Sequence, residues 1–135
     1  MTIELPFAVD VGFDRLYGLE ILEISGELVR GRVAVRDDLK QPAGLVHGGV
    51  YAAVAESLAT NGTAAAVFAD GNTAMGLSNQ TSFLRPVTSG SIHAAARARH
   101  QGRTTWVWEV ELANDDDQLC AITRVTVAVR PLPEP

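Results

Sequence analysis

The chain has 135 residues, 47% of them hydrophobic, and a formal net charge of −5. This length suits one domain with a substantial core but not two, so we expect a single domain over residues 1–135. The acidic balance argues against nucleic acid as a partner, because phosphate binding requires clustered cations.

The N-terminal third combines a loosely attached arm with two strands. Residues 1–12 are predicted to form the arm. They lack the basic segment that opens a secretory signal. Residues 13–17 predict a short helical turn. Residues 19–35 alternate between apolar and polar side chains around Ser25-Gly26, which predicts two strands. A polar loop at residues 36–40 follows.

A long helix is predicted over residues 48–69, because alanine dominates this run and has the best helix propensity. Its larger side chains recur at i, i+4 steps, and its small ones allow other backbone to approach from several directions. Such a helix suits burial by a sheet wrapped around it. Its alanine content, with Glu56 and Asn61, argues against insertion into a membrane.

Four more strands are predicted after the helix, with turn residues between them: Thr73–Leu84, Ser91–His100, Thr104–Leu112 and Leu119–Val129. Trp106 and Trp108 share one face of a strand and are interpreted as core or interface residues. Cys120 is interpreted as a small core residue; as the single cysteine, it is compatible with a reducing cytoplasm. The proline-rich tail from Pro131 is expected to fray rather than extend the sheet.

This order of elements predicts an α+β fold, with an antiparallel sheet of five to six strands around one long central helix. A single sheet with one helix leaves an outer face and two edges uncovered. We therefore expect an even oligomer, a homotetramer built from dimers.

The helix start carries the candidate chemistry. Gly48 and Gly49 lie at the first turn, where backbone amides have no intrahelical acceptor and can polarise a carbonyl oxygen. Glu56 lies about two turns further along and is the only charged residue from 48 to 69. Thr60 shares the face of Glu56 and can hydrogen-bond the carboxylate or a water.

The pattern Gln41-x5-His47-Gly48-Gly49-x6-Glu56-x3-Thr60 resembles the hotdog-fold acyl-CoA thioesterases. The resemblance is to the branch with glutamate on the central helix, which contains the PaaI-like and 4-hydroxybenzoyl-CoA thioesterases. It covers nearly the whole chain and recurs in residues 83–87, in residues 102–105 and in the closing strands.

The resemblance implies a thioester hydrolase acting on an aromatic or medium-chain acyl-CoA. Glu56 would be the nucleophile or general base, the Gly48 N–H would polarise the carbonyl, and Thr60 would position water. Gln41 and His47 would flank that carbonyl. Because CoA phosphates favour guanidinium and hydroxyl donors, Arg85, Arg103, Thr104 and Thr105 are candidate CoA contacts. Phe83, in the strand expected to line the pocket, and Gly49 are further candidate substrate contacts. The active site would form between the two protomers of a homodimer.

Other interpretations remain open. His47 near a helix start is more plausible as a neutral hydrogen-bonding group than as a cation, and no metal site or other cofactor is expected. Ser57 points about 100° away from Glu56 and lacks a nucleophile-elbow motif, which disfavours a serine hydrolase. A non-catalytic acyl-CoA binding module is the main alternative, and a hydratase a weaker one.

Overall fold

The computed structural model describes residues 5–134. Within them, two α-helices and six strands follow one another: α1 (Gly12–Tyr17), β1 (Glu20–Ile24), β2 (Leu28–Ala34), α2 (Gly48–Val67), β3 (Asn72–Phe83), β4 (Ser91–Gln101), β5 (Thr105–Ala113) and β6 (Leu119–Pro131). Single 3₁₀ turns lie before and after α2, at Asp37–Leu39 and Phe68–Asp70.

The six strands form one antiparallel sheet in the order β1-β2-β4-β5-β6-β3. Its inner face packs on α2, as the alternating burial along β5 shows: Trp106, Trp108, Val110 and Leu112 are buried. The predicted α+β fold with a sheet around one long helix is therefore confirmed, and the sheet has six strands.

The middle of α2 packs closely against the sheet because it has a glycine there. A Cβ on Gly62 would lie 2.6 Å from Cη2 of Trp108 and 2.7 Å from Cγ2 of Val29. The neighbouring Thr63 hydroxyl donates to the Ala59 carbonyl (3.0 Å) and accepts from Nε1 of Trp108 (2.9 Å). Two buried polar side chains are thus satisfied at the point of closest approach.

We expect Gly62→Ala to lower stability. The added methyl overpacks a closed core, which costs about 1–3 kcal/mol, whereas alanine returns only about 1 kcal/mol of helix propensity. The urea unfolding midpoint should therefore fall relative to the parent chain. An unchanged or higher midpoint would mean that α2 can move away from Trp108 without cost.

The two chain ends are better attached than the sequence predicts. Residues 1–4 lie outside the described part of the chain, but Leu5 packs against the core and the rings of Phe7 and Phe68 lie 6.1 Å apart. The prediction that the tail cannot extend the sheet is wrong at its first residue, because Pro131 ends β6 opposite Asn72. A proline is tolerated there because the last residue of a strand need not donate to the ladder.

The two edges of the sheet differ strongly. β1 has five residues and carries two glutamates, whereas β3 has twelve and exposes apolar side chains. Met75, Leu77 and Phe83 are 55%, 57% and 59% exposed. Among residues 5–134, no helix combines the length and apolar character needed to cross a membrane.

Candidate functional site

His47 begins α2 as its N-cap residue. Its Nδ1 accepts a hydrogen bond from the Gly49 N–H at 2.8 Å, so this ring nitrogen carries no proton. His47 therefore acts as a hydrogen-bond acceptor at the helix start. The Gly48 N–H, the first amide of the helix, has no acceptor among the described residues. One amide at the positive end of the helix thus remains available to a ligand oxygen.

The ring of Phe83, from the far end of β3, lies against the Cα of Gly48. A Cβ on Gly48 would meet its Cζ at 2.7 Å, so glycine is required for this contact. Tyr51 lies beside the same ring, with centroids 6.0 Å apart. Together these residues form one wall of a cavity of about 520 Å³, lined by Gln41, Leu45, Val46, Gly48, Tyr51, Phe83, Leu84, Arg85 and Pro86.

Gln41 is held by the turn that leads to the helix. Its side-chain oxygen accepts from the Ala43 N–H, and its backbone N–H donates to the Leu45 carbonyl at 2.8 Å. The side-chain NH₂ of Gln41 makes no hydrogen bond within the described residues and is available as a donor in this cavity. The structure thus brings together Gln41, Gly48, Phe83 and Arg85.

Glu56 is exposed rather than enclosed by apolar neighbours. Its side chain lies against the Cα of Gly76 in β3, and no cation within the described residues forms an ion pair with it. The apolar neighbours suggested by the sequence face the sheet, whereas Glu56 lies beside the open β3 edge. The carboxylate is therefore free to meet a ligand.

Ser57, the next residue, joins a polar cluster that the sequence does not predict. The Asp14 carboxylate oxygen Oδ1 accepts from the Ser57 hydroxyl at 2.6 Å and from the Tyr17 hydroxyl at 3.0 Å. This cluster ties α1 to the side of α2. Between them lies a second cavity, of about 540 Å³, lined by Phe13, Leu16, Tyr17, Arg36, Asp38, Leu39, Lys40, His47, Gly49 and Val50.

Alkaline pH should destabilise the protein through its two tyrosines. Burial raises the pKa of Tyr51 to about 12 and raises that of Tyr17 strongly, with the Asp14 carboxylate adding to the second shift. An unfolded tyrosine titrates near pH 10, so the unfolded chain loses these protons first, and the stabilisation is complete below about pH 10 and lost above it.

The measurement is the urea midpoint as a function of pH, for the parent and for Tyr17→Phe. The parent midpoint should fall above about pH 10, and the variant should show a shallower fall. Tyrosinate absorbance that develops near pH 10 in the fully folded protein would contradict this expectation.

The remaining predicted site residues do not all lie beside the start of α2. The Thr60 hydroxyl is buried and has no hydrogen-bond partner within the described residues, so the predicted bond to Glu56 is not formed. The turn with Arg103 and Thr104 lies at the opposite end of the sheet from Phe83. In β6, Ala121 pairs with Phe83 and Ala128 pairs with Thr105, which corresponds to a separation of roughly 23 Å along the strand.

Three residues beside Glu56 and Ser57 escape prediction: Asp14, Gly76 and Asn79. Asp14 is 43 residues from Ser57, and nothing local marks that contact. Gly76 does carry a signal, because a glycine inside a strand pattern often marks a bulge or a close backbone approach. No group of three or more metal-binding side chains occurs within the described part of the chain.

Comparison with known proteins gives consistent matches over most of the chain. Residues 43–121 match the family model described as the thioesterase superfamily. Rv1847 of Mycobacterium tuberculosis is 36% identical over 118 residues, 86% of this chain and 84% of that protein; its structure has a TM-score of 0.88 and covers 92% and 100% of the two chains.

Two further relatives carry informative names. The 1,4-dihydroxy-2-naphthoyl-CoA hydrolase of Listeria monocytogenes is 31% identical over 120 residues, 89% of this chain and 97% of that protein. The structure of a mutant of thioesterase PA1618 from Pseudomonas aeruginosa is 35% identical with a TM-score of 0.84, covering 88% and 86% of the chains. These matches confirm the resemblance to hotdog-fold thioesterases, with the Escherichia coli PaaI protein among the structures that share the fold.

Proposed function

This chain belongs to the thioesterase superfamily and is a thioester hydrolase, and on that premise we propose that it hydrolyses an aromatic or medium-chain acyl-CoA to the free acid and CoA. The proposal rests on one observation about α2. The helix has a free Gly48 N–H at its start and, about two turns along, an exposed Glu56 with no ion-pair partner among the described residues. Acyl transfer needs a group of each kind: a donor for the developing oxyanion, and a nucleophile or base.

Gly48 and Glu56 lie eight residues, or about 12 Å, apart along one helix, so the proposed reaction uses Gly48 of one protomer and Glu56 of the other protomer of the dimer. The thioester carbonyl oxygen accepts from the Gly48 N–H, and negative charge that develops there is stabilised by the helix start. Glu56 either attacks the carbonyl carbon to form a mixed anhydride, which water then hydrolyses, or removes a proton from an attacking water. Gln41 and His47 flank the carbonyl, whereas Thr60, whose hydroxyl is buried within the protomer, is not assigned a contact with the water. CoA leaves as the thiol.

The substrate class rests on the two cavities beside the helix start. Both have volumes in the range of small-molecule sites, and most of their lining is apolar. Phe83 and Tyr51 provide aromatic surface beside Gly48, while Gly49 opens onto the second cavity. The Listeria relative is named for an aromatic acyl-CoA, which agrees with an aromatic substrate for this chain.

The proposal includes a homodimer that forms the active site, in which two β3 edges pair. β3 is the longer edge and exposes apolar side chains, features that favour association. Antiparallel pairing about a two-fold axis would bring the Arg85 end of one protomer toward the Arg103 end of its partner. Arg85 and the Arg103–Thr105 turn could then bind one CoA. Pairing of dimers into a homotetramer and a cytoplasmic location complete the proposal.

The experiment is thiol release from phenylacetyl-, hydroxybenzoyl-, hexanoyl- and palmitoyl-CoA, followed with a disulfide chromogen. Release from one of the first three at a higher kcat/KM than from palmitoyl-CoA would support the proposed substrate class. If the folded, dimeric protein instead binds these thioesters without releasing thiol, the chain is an acyl-CoA binding module and the proposed reaction is wrong.

A further inference from the structure

Strand β3 departs from regular pairing beside Glu56. Gly76 pairs with Val127 of β6, but Ser78 pairs with Thr126, so Leu77 is an extra residue that forms a β-bulge. In a regular strand, residues three positions apart face opposite sides of the sheet. The bulge changes this alternation, and both Gly76 and Asn79 face α2.

Gly76 lies directly against the Glu56 side chain. A Cβ at this position would lie 3.2 Å from Cδ, 3.3 Å from Cγ and 3.4 Å from Oε1 of Glu56. These distances are shorter than ordinary carbon contacts, so a methyl group there would displace the carboxylate. Because Glu56 is exposed, its side chain can move without disturbing the core.

Asn79 ties the same strand to the helix one turn before Glu56. Its Nδ2 donates to the Ala52 carbonyl at 2.9 Å. That carbonyl is also the helical acceptor of the Glu56 N–H, because α-helical bonds join residue i to residue i−4. Asn79 is itself held at its other end, since its Oδ1 accepts from the Thr81 hydroxyl at 2.8 Å, and Thr81 contacts the Thr123 hydroxyl at 2.9 Å.

We propose that the bulged strand β3 sets the position of the Glu56 carboxylate, with Gly76 and Asn79 as positioning residues. Gly76 supplies a flat backbone surface for the side chain, and Asn79 fixes the helical turn that carries it. The inference rests on the reaction proposed above, because position matters here only if Glu56 acts on a substrate. An added methyl requires the carboxylate to move by a few tenths of an ångström. Because a displacement of about 1 Å can cost about a hundredfold in rate, a smaller loss is expected here.

The test is a pair of kinetic comparisons. Gly76→Ala should lower kcat by up to about tenfold with KM within about twofold of the parent, because the carboxylate moves slightly while the binding surfaces remain. In a Glu56→Ala background no carboxylate is left to displace, so the same change should leave the residual rate unaltered. An equal loss in both backgrounds would mean that the methyl distorts the strand, and the proposal would be wrong.

A crystal structure of Gly76→Ala supplies a readout that does not depend on activity. The Glu56 carboxylate should be shifted or rotated, with β3 otherwise in place. An unmoved carboxylate would overturn the proposal even where the residual rates are too low to compare. If the parent itself releases no thiol, the proposed function fails; a parent and Gly76→Ala that are equally active refute only this inference.

Asn79→Ala tests the second positioning contact, the hydrogen bond from Asn79 to the Ala52 carbonyl. This variant should lower kcat, with a smaller change in KM. Asn79→Asp should not restore the rate, because a carboxylate cannot donate to the Ala52 carbonyl. Gln101→Ala is the matched control. It removes a side-chain amide that donates to the Gly26 carbonyl at 2.7 Å on a distant part of the sheet. A loss of equal size in the control would assign the effect to general loosening of the fold.

Discussion

Glu56→Gln should lower turnover by about a hundredfold or more while the protein remains folded. Glutamine keeps the size and shape of the side chain, so its contact with Gly76 and the packing of α2 should survive. The amide can neither attack a thioester nor accept a proton from water at neutral pH. The loss should therefore appear in kcat, with KM changed much less.

The measurement is steady-state thiol release from the best acyl-CoA of the panel. Glu111→Gln provides the control, because it makes the same chemical change at an exposed position of β5 on the outer face of the sheet. That variant should retain the parent rate. If Glu56→Gln kept most of its activity, the catalytic assignment of Glu56 would be wrong.

Leu77→Lys should convert the proposed dimer to a monomer and abolish most of the activity. Leu77 lies near the middle of the twelve-residue β3 edge and is 57% exposed in a single protomer. If two such edges pair about a two-fold axis, the introduced lysines lie close to each other, and like charges across paired strands are destabilising. Natural edge strands use lysine to prevent such pairing.

The mass should be measured by sedimentation and the rate by thiol release on the same samples. Leu22→Lys is the control, since Leu22 is also an exposed leucine on an edge strand, but on the short β1 edge. It should remain dimeric and active. A monomeric Leu77→Lys with full activity would show that one protomer contains the whole site. A dimeric Leu77→Lys would mean that the protomers meet elsewhere.

The start of α2 could be predicted because its signals are local. Glycines at a helix start, a histidine before them and an alanine-rich run determine where the helix begins and which amide remains free. The six strands could likewise be predicted from the alternation of apolar and polar side chains and from the turn residues between them. The Gln41-to-Glu56 pattern then supported the family resemblance that implied the candidate groups.

Other features depended on contacts that no local pattern encodes. The exposure of Glu56 follows from the open β3 edge, although its sequence neighbours are apolar. The Asp14 link to Ser57 joins residues from different elements. The bulge at Leu77 leaves the composition of the strand ordinary, and only Gly76 hints at it. Thr60 has the spacing for a bond to Glu56, yet its hydroxyl is buried without a partner among the described residues.

The extra residue in β3 also restricts how this chain can diverge. Gly76 and Phe83 are an odd number of positions apart, yet both face α2, one against Glu56 and the other against Gly48. Seven positions in a regular strand would turn one of these two contacts outward, so both face α2 only because the bulge at Leu77 takes up one residue. Descendants of this protein can therefore exchange side chains along β3 to adopt new acyl groups, but a one-residue deletion or insertion between positions 76 and 83 keeps both contacts only if the bulge is lost or shifted with it.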